Sequence, residues 1–136
     1  MSYAKRSKVK QKLPPFVAMS WEILTSKVFI DLTPSSGKAL QYFRGKGLKV
    51  AYTRNEPENS IVFEFSYDEA ERLGFASATF SKILKELIRV GFIDMAGYGG
   101  LRGFCKLNSK YRLSDRWRRY GEPDFEIVPR YPSEPV

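Results

Sequence analysis

Residues 66–93 read SYDEAERLGFASATFSKILKELIRVGFI. Ser66 with Glu69 three positions later forms a capping box: the hydroxyl accepts from the Glu69 N–H, and the carboxylate reaches back. The helix it opens spans residues 67–73 and stops at Gly74, the residue type that enters a left-handed cap conformation without strain. A second helix starts near Ser77. Its Phe80, Ile83, Leu84, Leu87 and Ile88 form an apolar stripe along one side, and it ends at Val90-Gly91. Helices that cross steeply over a short turn need a small residue at the crossing and a glycine in the turn. Ala70 and Gly74 stand in those places, and Leu73, Phe75, Phe80 and Ile83 fall where the helices meet each other and a core. The segment reads as a helix-turn-helix, against the plainer alternative of a purely structural helical hairpin.

The flanks extend this unit in both directions. Upstream, residues 61–65 (IVFEF) are β-branched and aromatic, the composition of a short strand. Before them, residues 49–60 read as a polar turn around Asn55-Glu56-Pro57. Thr33-Pro34 opens a further helix, with the threonine as cap and the proline at the first helical position. Its Ala39, Leu40, Phe43 and Leu48 share a face, and Gly45 and Gly47 are expected to fray it. Ser20 caps a shorter helical stretch in which Trp21, Ile23, Leu24, Val28 and Phe29 fall on a rough helical period. Phe16, Trp21, Phe29, Phe43, Phe63 and Phe65 are expected to pack in the core. Downstream, residues 92–95 are a strand candidate, residues 97–103 (GYGGLRG) a glycine-rich turn, and residues 104–107 the return strand, with 111–113 as its extension. Residues 114–117 open a last short turn. The chain divides into a basic arm over 1–15, a folded domain over 16–119 and an acidic, proline-containing tail over 120–136.

Length and composition bound the chemistry. A chain of 136 residues with 43% apolar and 15% aromatic side chains suits one ordinary domain that buries its own core. It has no histidine and one cysteine. Histidine-based catalysis, histidine metal sites, internal disulfides and cysteine-rich zinc sites are therefore excluded. The basic N-terminus lacks the sustained apolar run of a signal peptide, and no stretch approaches a membrane span. A soluble cytoplasmic protein that is not an enzyme, needs no cofactor and has no membrane partner is expected. The net charge of +8 is unevenly spread. Lys5, Arg6, Lys8, Lys10 and Lys12 fill the arm, and seven cations against Asp115 fill residues 97–119. Glu122, Asp124, Glu126 and Glu134 against Arg130 make the tail acidic. A basic block inside a folded region points to a polyanion partner.

The order helix, helix, strand, helix-turn-helix, strand, glycine turn, strand resembles the winged helix-turn-helix family, an α+β fold. The segment YDEAERLGFASATFSKILKELIRVGFI is similar to that family's short helix, recognition helix and entry to the wing. Together with YRLSDRW, it also resembles winged-helix domains of phage and plasmid replication proteins and mobile-element regulators. The resemblance covers about residues 17–117. It implies that the helix over 77–90 enters the major groove of double-stranded DNA and reads base edges with its exposed side. Once the apolar stripe is set aside, that side carries Ser77, Thr79, Ser81, Lys82, Lys85 and Arg89. The wing would lie along the backbone or in the minor groove through Arg102, with Tyr98 on a sugar and Lys106 and Lys110 on phosphates.

The same residues have plainer accounts. Lys82, Lys85 and Arg89, with Glu86 among them, could be an ordinary solvated helix face, and the glycines a hairpin tip. The leading expectation is a sequence-specific duplex-DNA binder, serving as a transcriptional regulator or a replication or partition module. Paired half-sites would ask for a homodimer, although no heptad or long amphipathic tail supplies a dimer helix. The alternative is a winged-helix adaptor for protein or RNA contacts. A metal-dependent nuclease using Glu64, Asp68 and Glu69 with Lys82 is disfavoured, because acids in a helix's first turn are already explained by the helix dipole.

Overall fold

The helix opened by Thr33-Pro34 organises everything around it. In the computed structural model, which describes residues 16–97 and 109–128, this helix (α3) runs Pro34–Arg54. The Thr33 hydroxyl accepts from the Ser36 N–H at 3.4 Å, and the helix closes at Asn55 in the left-handed conformation. Gly45 and Gly47 do not fray it, and residues 49–54, expected in a turn, are helical. The cause is packing. A Cβ at Gly47 would stand 2.9 Å from Leu113 Cδ1 and 3.3 Å from the Phe63 ring, so the sheet lies directly on the helix backbone there. That close approach outweighs the penalty of about 1 kcal/mol for glycine in a helix.

Two short helices precede α3: α1 over Trp21–Thr25 and α2 over Lys27–Ile30. The period that suggested a single stretch is broken at Ser26. Its hydroxyl donates to the Ile23 carbonyl at 2.7 Å and accepts from the Phe29 N–H at 3.1 Å, ending one helix and capping the next. Ser20 caps α1 as expected, accepting from Ile23 N–H at 3.1 Å.

Then follow β1 (Val62–Glu64), α4 (Tyr67–Arg72), α5 (Ser77–Val90), β2 (Ile93–Gly97), β3 (Lys110–Leu113) and a 3-10 turn over Arg116–Arg119. The fold is α+β, with five α-helices and a three-stranded antiparallel sheet among the described residues. β3 lies in the middle, flanked by β1 and β2. Phe63, Tyr111 and Met95 align across the inner face, and Val62, Arg112 and Asp94 across the outer one. Placing β3 between two strands, one of them about fifty residues away, goes beyond the local hairpin that the sequence suggested. The expected return strand at 104–107 lies outside the described residues, as do the arm over 1–15, the turn over 98–103 and the tail beyond 128.

Phe43, Phe65, Phe80 and Tyr111 form the centre of the core. Ring centroids lie 4.6 Å apart for Phe43–Phe65 and 5.3 Å for both Phe65–Phe80 and Phe43–Tyr111. Two of the aromatics expected to pack do not: Phe16 is 69% exposed and Trp21 76%. On the short α1 the inward residue is Ile23. At about 100° per residue, Trp21 two positions earlier projects to the other side. No helix among the described residues is long and apolar enough to cross a membrane.

Candidate nucleic-acid interface

The local chemistry of residues 66–91 sets the two helices at their crossing. Ser66 Oγ accepts from the Glu69 N–H at 3.0 Å, so half of the capping box is present. The other half is replaced. The Glu69 carboxylate takes two contacts from Lys46 Nζ of α3, at 2.8 and 2.9 Å, and this bond ties α4 to the middle of α3. α4 ends at Arg72 with Leu73 as its cap, Gly74 turns the chain at φ +97°, and the Phe75 N–H returns to the Ala70 carbonyl at 2.9 Å. Ala70 is fully buried. Lys38 of α3 holds its ammonium 5.1 Å above the Phe75 ring, beside this turn.

α5 buries Phe80, Ile83, Leu84, Leu87, Ile88 and Val90. Ser77, Lys82, Lys85 and Arg89 are exposed, while Thr79 and Ser81 are half-buried. At about 100° per residue, Lys82, Lys85 and Arg89 fall within about 60° of one another, on the side away from the buried stripe, whereas Ser81 is turned about 100° from Lys82. The structure therefore brings the three cations onto one face and places Ser77 and Ser81 at its margin. Among the described residues, neither Lys82 nor Lys85 has a salt bridge.

Glu86, which the sequence places among these cations, forms no salt bridge with them. Its carboxylate accepts from Ser36 Oγ at 2.6 Å, Thr33 Oγ1 at 2.9 Å and Thr33 N–H at 3.3 Å. It sits at the N-terminus of α3, where a negative charge is favoured by the helix dipole, and it gives the fully buried Ser36 hydroxyl an acceptor. One carboxylate thus fixes α5 on α3 and makes no salt bridge with the lysines of α5.

The second basic block, expected to face a polyanion, is partly paired within the molecule. Arg116 is a structural residue: its guanidinium meets Asp94 Oδ1 at 2.7 and 2.8 Å and donates to the Ile88 carbonyl at 2.8 Å, with the side chain 10% exposed. Arg118 pairs with Glu22 and lies 4.6 Å over the Trp117 ring. Arg119 pairs with Asp124 at 2.9 Å, and that hydrogen bond, with the attraction of the same carboxylate, raises its pKa. Lys110 and Arg112 on β3 have no salt bridge among the described residues. Of the block's described cations, Arg116, Arg118 and Arg119 are therefore paired with the chain's own acids, and Lys110 and Arg112 are not.

Tyr98, Arg102 and Lys106 lie outside the described residues. Arg89 is exposed yet engaged, its Nη1 donating to the Tyr120 hydroxyl at 2.6 Å. Two exposed cations near the turn, Lys38 and Arg72, were missed from the sequence. Arg72 sits in the last turn of α4, and Lys38 reaches the turn only because α3 packs across it. Among the described residues, no three His, Cys, Asp or Glu side chains come together as a metal site. Compared with family models, curated proteins and solved structures, the chain matches none.

Proposed function

We propose that this chain is a winged helix-turn-helix protein that binds double-stranded DNA sequence-specifically, as a transcriptional regulator or a replication or partition module. α5 lies in the major groove in this reading, and the β2–β3 hairpin acts as the wing. The element order and the sheet order β1-β3-β2 are compatible with that layout. The observation that carries the reading is the α5 face: Lys82 and Lys85 are exposed and without a salt bridge among the described residues, opposite a fully buried stripe, and the Glu86 carboxylate bonds to α3 instead of to them. Lys38 and Arg72 add two exposed cations beside the turn. Lysines at such positions contact phosphates or guanine edges, and the hydroxyls of Ser77 and Thr79 suit either bases or phosphates.

A second reading, a winged-helix adaptor for protein or RNA, draws on the exposed Phe16, Trp21 and Ile30. Binding measured against duplex DNA, single strands and structured RNA over a salt series separates the two. With about four to five phosphates neutralised, log K for duplex falls against log salt with a slope near −4. That is a loss of roughly two to three hundredfold between about 50 and 200 mM salt. A shallow slope, or no preference for duplex, favours the adaptor.

A further inference from the structure

The cationic face of α5 does not end in open solvent. At its C-terminal end Arg89 donates to Tyr120 Oη, and Tyr120 opens a segment that folds back on the domain. Within residues 120–128, the Glu122 N–H returns to the Arg119 carbonyl at 2.9 Å and the Phe125 N–H to the Glu122 carbonyl at 3.0 Å. The Tyr120 and Phe125 rings meet edge-on at 5.1 Å. Arg116, which grips the last turn of α5 through the Ile88 carbonyl, also lies 5.5 Å over the Phe125 ring and donates to the Glu126 carbonyl at 2.9 Å. Asp124 holds Arg119 by contacts of 2.9 and 3.0 Å. The segment contains Glu122, Asp124 and Glu126, all exposed, and no Lys or Arg.

We propose that residues 120–128 are an intramolecular competitor for the DNA-binding surface: an acidic segment, held at the C-terminal end of α5, that contests the cations there with the phosphate backbone. The proposal rests on the duplex-DNA reading and names a regulation of the same site. The division of labour within the segment supports it. Tyr120 and Phe125 do the anchoring, through ring contacts and packing on Arg116. The carboxylates stand in solvent, where an exposed pair such as Arg119–Asp124 adds little to stability. Fixed charges in that position act instead on whatever polyanion approaches, over a screening length of about 10 Å at 0.1 M salt. Segment and DNA meet at Arg89, which Tyr120 engages, with the exposed carboxylates carried beside it, so any event that lifts the segment away strengthens binding.

The test is anisotropy of a labelled mixed-sequence duplex titrated with the full chain, D124N, the triple variant E122Q/D124N/E126Q, and E56Q as a charge-matched control for D124N. Glu56 lies beyond the C-terminal end of α3, a helix about 30 Å long, whose other end contacts α5. At about 50 mM salt, D124N tightens binding about two- to threefold and the triple variant about tenfold, gains that fade as salt is raised. E56Q changes it by less than about 1.5-fold. Equal gains in E56Q and D124N, or no gain in the triple variant while the unaltered chain binds duplex, overturn the competitor and leave the DNA reading intact. If neither the unaltered chain nor the triple variant prefers duplex to single strands and RNA, the DNA reading falls and the competitor with it.

Discussion

Phe80→Ala lowers the stability of the protein by about 3–5 kcal/mol, the cost of removing a large aromatic side chain from a core that closes only partly around the cavity. Phe80 is the first inward residue of α5 and is fully buried. Its ring lies 5.0 Å from Tyr67, 5.3 Å from Phe65, 6.2 Å from Phe43 and 6.3 Å from Phe75. These partners come from α3, α4, the segment after β1 and the turn before α5, so a single side chain locks the helix-turn-helix onto the long helix. Urea unfolding followed by circular dichroism measures the loss as a lower midpoint at unchanged slope. A loss below about 1 kcal/mol would mean that α5 is not seated by this ring.

Lys82→Ala with Lys85→Ala has the opposite profile. Both side chains are exposed and neither has a salt bridge among the described residues, so the melting temperature stays where it is. Duplex affinity falls by roughly ten- to a hundredfold, and the salt slope becomes shallower by about two, one for each phosphate no longer neutralised. Electrophoretic shift or anisotropy at two salt concentrations reads both quantities. Affinity unchanged by the double substitution would move the binding surface away from α5. The two substitutions thus separate what holds the helix from what the helix does.

The parts of this fold that could be read from the sequence are those decided by near neighbours. The stripe of α5, the cap at Ser66, the glycine at position 74 and the Thr33-Pro34 start are each set by residues a few positions apart, where helical geometry leaves little choice. What could not be read depends on partners brought together by tertiary structure. Gly47 looks like a helix breaker until β3 is laid against it. Trp21 falls on a helical period, but the helix proves too short to bury both of its sides. Glu86 looks like one more surface charge until Thr33 and Ser36, fifty and more residues earlier, supply its donors.

The site divides the same way. Exposure of Lys82, Lys85 and Arg89 followed from the position of the stripe. The internal commitments of Arg116, Arg118 and Arg119 did not, because their acids sit on β2, on α1 and in the tail. A count of basic residues in one block therefore overstates the charge that a partner meets. The lysines on α5 are the better guide, since they are exposed and have no salt bridge among the described residues.

If the outward face of α5 is the surface that meets DNA, its backbone amides must register the encounter. Amide spectra of the ¹⁵N-labelled chain, recorded while duplex DNA is added, test this residue by residue. The largest shifts are expected on residues 77–89 and on Lys38 and Arg72 around the turn, with the far end of α3 near Asn55 unmoved. Shifts concentrated on α1 and α2, with residues 77–89 unchanged, would contradict it.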